Sequence, residues 1–335
     1  MPLTDLPLEQ LRDHLGEVAE PAGFDAFWAD SLALAREHPL DLRLSPGPGP
    51  ELAHVEVSDV RFSGWGGDRV AAWFLRPRNA PGPLPVVVKF IGYSGTRGRP
   101  VEHTEWAAAG YALLVVDTRG QGSDTPDPDT GATAGQWANG FMTKGVQDPA
   151  TYYYRRAYVD CARAVEAAAA LPGVDPSRLV VAGGSQGGAF ALAAAHLAGE
   201  AVSAALVDVP FLCSIRRACD VAGEGPYLEV VTFLRRHSRE AVEQTFRTLA
   251  HVDAANHALR ASAPALFSVG MMDPVCPPST VFAAYNRYGR RAGGAAGRPV
   301  RKDITVWEFS DHSGGAAHQF ERQLRFLDGL WRERA

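Results

Sequence analysis

Two kinds of hydrophobic spacing divide the chain. Near the N-terminus the apolar positions recur at helical intervals: in "FDAFWADSLALA", Phe24, Phe27, Trp28 and Leu32 fall on one face. Residues 1–45 are therefore expected to form a helical arm laid against the rest of the molecule. "SPGPGPEL" ends the pattern, because proline and glycine interrupt both regular structures. Alternation follows in "AHVEVSDVRFSG" and "RVAAWFLRP", read as half-buried strands that the turn-forming "GWGGD" joins into an antiparallel hairpin.

Beyond the hairpin the apolar positions become continuous. "LPVVVKFIGY", "YALLVVDTRG", "RLVVAGGS", "VSAALVDVP", "APALFSVGMMD" and "ITVWEFSDH" are short runs rich in Val, Leu and Ile, separated by helical segments. Strands without a polar face are buried on both sides, so this alternation predicts an α/β fold with a mostly parallel central sheet flanked by helices. Residues 1–335 read as one such domain. In parallel sheets of this kind the ligand chemistry sits at the carboxyl ends of the strands. Two segments are too long to be simple connections, 123–152 and 222–262. The first carries Trp137, Phe141 and Met142 and is expected to be an ordered cover; the second reads as helical. "RAGGAAGRP", at 291–299, reads as a flexible surface turn.

Composition narrows the function classes. The net charge of −5, with 21% charged residues and no long block of one sign, leaves no electrostatic footprint for nucleic acid or an anionic membrane. No run of about 18 apolar residues suggests a membrane span, and "MPLTDLPLEQLRDHLGE" lacks the basic and apolar regions of a secretion signal, so a cytoplasmic protein is expected. The four cysteines form no CxxC pair or framework and read as reduced thiols. Neither HExxH nor clustered ligands at metal-site spacing occur, so no metal or cofactor is expected.

The chemistry concentrates on "GGSQGG". Ser185 stands between a short apolar strand and an alanine-rich helix, with glycines at −2, +2 and +3. On a sharp strand-to-helix turn this pattern exposes a strained, nucleophilic serine; elsewhere it is only a glycine-rich loop. A serine hydroxyl needs an imidazole to take its proton and a carboxylate to orient that imidazole. Asp273 and His312 follow at the ends of later strands, in the chain order serine, acid, histidine. Asp208, which also ends a strand, is a rival acid; His318 is the other histidine after Asp273, but it falls in the helical pattern "HQFERQLRFLDGLW". Backbone amides of Gln186 and of Tyr93, in "GYSGTRGRP", suit an oxyanion hole. Arg119 in "DTRGQGSD" reads as an anchor for neighbouring carboxylates, its fixed charge making it a poor proton shuttle.

Taken together, "RGQG", "GGSQGG", "MMDPVCPPSTVFAAYN" and the strand-end His312 resemble carbohydrate esterase family 7, whose members are acetyl xylan esterases and cephalosporin C deacetylases. "FDAFW", "GFMTKGVQDPATYYYRRAYVDCARA" and "TLAHVDAANHA" extend the likeness over residues 20–330. The resemblance implies an α/β-hydrolase fold and a serine esterase that removes acetyl groups from sugar hydroxyls or similar small alcohols. Its catalytic triad would be Ser185, Asp273 and His312, with Tyr93 and Gln186 as oxyanion donors. It further implies a closed homohexamer. One position departs from the pattern: Ser313 follows His312 where the family usually carries glutamate. Pro210 and Phe211, with Trp137 from the 123–152 segment, are expected to narrow the substrate pocket toward acetyl. A serine peptidase, a lipase or a non-catalytic binding protein on the same fold are the competing readings.

Overall fold

The computed structural model describes residues 3, 5–49, 52–122, 124–128, 139–292 and 299–334. Trp137 and most of the 291–299 turn lie outside them. Nine strands build one sheet in the order β1-β2-β3-β5-β4-β6-β7-β8-β9: β1 (Arg43–Pro46), β2 (Val55–Ser63), β3 (Arg69–Pro77), β4 (Leu84–Phe90), β5 (Ala112–Val116), β6 (Val174–Gly184), β7 (Ala204–Asp208), β8 (Ala265–Gly270) and β9 (Lys302–Trp307). From β5 to β9 in this order every pairing is parallel. The expected hairpin is β2–β3, which joins the sheet antiparallel to β5.

The continuous apolar runs have the predicted cause. Val86, Val88, Leu114 and Val181 face one core while Val87, Leu113, Val115 and Val180 face the other, so alternate residues of one strand serve both layers. Pro85 lies inside β4 where the ladder to β6 shifts register, as a residue without an N–H requires. The crossing from β4 to β5 and back to β6 puts the nucleophile-bearing strand at the centre of the sheet.

Outside the parallel part, two expectations needed correction. The arm is only partly helical: Leu8–Leu11 and Phe24–Arg36 are helices, and the segment between them is pinned by side chains instead. Asn286 donates to the carbonyls of Leu11 (2.9 Å) and His14 (2.8 Å), and Arg287 to that of Leu15 (2.8 Å). A coil held by the body shows no helical periodicity of its own. The proline-glycine stretch read as a breaker begins inside strand β1, whose four residues are all exposed and carry no burial pattern. Of the longer segments, 222–262 is helical as expected, with helices Tyr227–Arg236, Val242–Val252 and Ala254–Ala258.

Candidate active site

Strand β6 runs into Ser185, and the helix Gln186–Leu197 starts at the next residue. The turn between them holds Ser185 at φ 56° and ψ −122°, a region L-residues avoid. Two glycines permit it. A Cβ on Gly183 would collide with the backbone of Gly187, and one on Gly187 with the carbonyl of Phe90 at the end of β4. The backbone is clamped by the loop after β7, with the Ser185 N–H donating to the Asp208 carbonyl (3.0 Å) and the Phe211 N–H to the Ser185 carbonyl (2.9 Å).

Asp273 follows β8 and His312 follows β9. The His312 Nδ1 lies 2.7 Å from Asp273 Oδ2, while Asp273 Oδ1 accepts the amides of Val275 (2.8 Å) and Cys276 (2.9 Å). Three hydrogen bonds hold the carboxylate, and its side chain is fully buried. With Nδ1 donating to the carboxylate, Nε2 is the free base. Gly270 lets the histidine loop approach, since a Cβ there would strike the Asp311 carbonyl. Ser313 donates its N–H to Asp311 (2.9 Å) and bonds the Ser310 hydroxyl (3.1 Å), so its side chain serves the loop itself.

The two rivals fall elsewhere. Asp208 is half-buried and holds Ser268 (2.8 Å), Gln319 (3.0 Å) and Gln323 (2.6 Å), with no bond to His312; desolvation pushes its carboxyl up to about 6. His318 is exposed on the helix Ala316–Arg334, its ring tilted over Trp307. Arg119 is bonded to Asp160, Asp68 and Asp127, a wholly buried anchor.

Ser185 and His312 open into a cleft of about 980 Å³ that Gly92, Tyr93, Ser94, Val275 and Glu229 also line. The segments bearing Tyr93 and Gln186 are tied together by Gln121 of "RGQG". Its Oε1 accepts the Ser94 N–H (2.8 Å) and its Nε2 donates to the Gln186 side chain (2.8 Å), which in turn accepts the Tyr154 hydroxyl (2.9 Å). Pro210 and Phe211 do not line the cleft. The loop turns inward at Val209, Leu212 and Ser214, all with positive φ, which buries Pro210 against Gly188 and Phe211 against Tyr93 and Tyr227.

Sequence reasoning passed over three residues at this site. Cys276 is a wholly buried thiol whose Sγ lies within 4.8 Å of the ligand atoms of Asp273 and His312, and burial raises its pKa well above the usual thiol value. Its place three residues after Asp273 was the available signal. Gln121 stood in a quoted motif without a role. Glu229 sat in a helical segment with nothing to mark it. Among the described residues, Asp273, Cys276 and His312 are also a close set of metal-type donors, with ligand atoms within 4.8 Å of one another. Two of them are already bonded to each other.

Comparison with known proteins agrees with this fold. The profile of the acetyl xylan esterase (AXE1) family matches residues 1–330. The chain belongs to this family. An acetyl xylan esterase from Paenibacillus sp. R4 is 38% identical and superposes with a TM-score of 0.87 over 97% of this chain and 99% of that one. The acetyl xylan esterase 1 of a Thermoanaerobacterium species is 30% identical with the same TM-score, over 98% and 99% of the two chains. The acetyl esterase Axe7A of Xylanibacter ruminicola is 28% identical over 270 residues, 79% of this chain. The match spans 60% of that relative's length. Membership in the family accounts for the α/β-hydrolase architecture.

Proposed function

We propose that the protein is a serine esterase that removes acetyl groups from acetylated sugars such as xylo-oligosaccharides and from similarly small acetyl esters. The observation that carries this reading is the Asp273–His312 hydrogen bond in the same cleft as a serine on a strained elbow. His312 Nε2 takes the Ser185 proton as Oγ adds to the acetyl carbonyl. The carbonyl oxygen becomes the oxyanion, held by the Tyr93 and Gln186 amides. Collapse expels the sugar oxygen, which His312 protonates, leaving acetyl-Ser185. Water, deprotonated by His312, then adds to the acyl carbon; acetate leaves and Ser185 recovers its proton. Asp273 orients the imidazole and stabilises its charged form throughout. No step in this sequence calls for a metal.

Acetyl preference rests on the packed wall behind Tyr93. Its ring meets Phe141 at 5.9 Å and Phe211 at 6.1 Å, and both of those side chains are buried, which supports a rigid wall that yields little to a longer acyl chain. Each methylene that does not fit costs on the order of 1–3 kcal/mol in discrimination. Aryl esters of increasing acyl length test this: acetate is expected to turn over fastest, and a preference for butyrate or longer would remove the acetyl assignment. Four unpaired thiols, three of them buried, support a reducing compartment such as the cytoplasm. Among the described residues no helix is long and apolar enough to cross a membrane. The family resemblance supports a homohexamer.

A further inference from the structure

Three amides of the 123–152 segment converge on one side-chain pair at the edge of the cleft. The Tyr93 phenol oxygen accepts the N–H groups of Gly140 (3.2 Å) and Phe141 (3.0 Å), and the Glu229 carboxylate accepts that of Met142 (3.3 Å). The phenol itself donates to Glu229, whose two oxygens lie 2.8 and 2.9 Å away. Three parts of the chain meet here: the loop whose amide faces the oxyanion, the far end of the first insertion, and the helix Tyr227–Arg236 of the second.

From this convergence we infer that Glu229 is a positioning residue for the reaction: by holding the Tyr93 phenol it sets where the Tyr93 amide points. The inference rests on the esterase reading above. A tyrosine side chain has only two rotatable bonds, so fixing both its ring and its hydroxyl leaves the backbone little freedom. The ring is gripped by Phe141 and Phe211, and Phe211 is itself bonded to the Ser185 carbonyl. The hydroxyl donates to the Glu229 carboxylate. A charged acceptor makes this hydrogen bond stronger than a neutral one. Glutamine at 229 keeps the shape but replaces the carboxylate by a neutral amide, whose oxygen is a weaker acceptor for Tyr93 and Met142 and whose NH2 takes the place of the second oxygen now facing the phenol. Glu229 also lines the cleft, and a direct contact with substrate is the alternative role. Its oxygens already serve protein donors, which favours positioning.

Kinetics on an aryl acetate and inhibition by a boronic acid separate the two roles, since the boronate formed on Ser185 mimics the tetrahedral intermediate. Glu229→Gln is expected to lower kcat by about tenfold with KM within about threefold, a modest share of what misplacement of a reacting group costs. Boronic acid affinity is expected to fall in step with kcat. Tyr93→Phe deletes the same bond from the other side, together with those from the Gly140 and Phe141 amides, and is expected to lower kcat at least as much; the double variant is expected to lose no more than the worse single. Wild-type kcat and boronic acid affinity in both single variants would overturn the inference, as would a loss confined to KM or a fully additive double variant. Failure of the esterase reading looks different. Ser185→Ala would then retain wild-type turnover, and this inference would fall with it, whereas the inference alone fails with Ser185 still essential.

Discussion

Two imidazoles far from the cleft show how burial at single residues sets the behaviour of the molecule in acid. His196 and His257 share one hydrogen bond through their Nδ1 atoms (3.0 Å), and His257 is enclosed by the rings of Phe24, Trp28 and Tyr158. Burial lowers both pKa values, that of His196 to about 4, so both are neutral in the folded protein. An unfolded histidine takes up its proton near pH 6.5. Unfolding therefore binds protons, and the pair's contribution to stability declines as pH falls from about 6.5 toward 4. Asp208 and Asp253 pull the other way. Burial raises each to about 6, so the folded state holds their protons first and gains stability on acidification. The net curve is a mixture, and the difference between wild type and His196→Gln isolates the imidazole. Thermal midpoints are expected to drop less between pH 7 and 4.5 in the variant; an equal drop would mean the pair titrates as it does unfolded. Single-residue chemistry was unevenly legible in the sequence. Ser185, Asp273 and His312 could be picked out because each follows an apolar strand run, which places side chains at one edge of the sheet. Glu229 meets Tyr93 and Met142 through contacts between distant segments, and no local pattern announces such contacts.

At the scale of elements the same rule separates what was legible from what was not. Strands β4 to β8 were readable because both faces are covered, and a continuous run such as "VVV" has no other stable setting in water. β1 was missed because an exposed edge strand of four residues needs no apolar face. The arm between its two helices is ordered by Asn286 and Arg287, which belong to a helix more than 270 residues away in sequence. The loop after β7 looked like a pocket wall in sequence, with a proline followed by a phenylalanine. Three positive-φ residues turn it inward, and Phe211 supports Tyr93 from behind instead. Strain at Ser185 and in this loop sits where two elements clamp one another, so the cost of one conformation is offset by the bonds of both.

For the whole molecule, the proposed homohexamer would exclude large substrates. Exposed Phe309, 80% accessible three residues before His312, gives the rim of the site an apolar group that a neighbouring copy would cover. Light scattering at micromolar concentration is expected to give a mass six times that of one chain; a monomeric mass would end the cavity argument while leaving the chemistry untouched. That chemistry is the central claim, and the rate of acetate release from acetylated xylo-oligosaccharides by Ser185→Ala tests it most directly. The account predicts a folded variant at least about a thousandfold slower than wild type, the loss that removal of a triad member brings. Near-normal acetate release by a cleanly folded Ser185→Ala protein would contradict it.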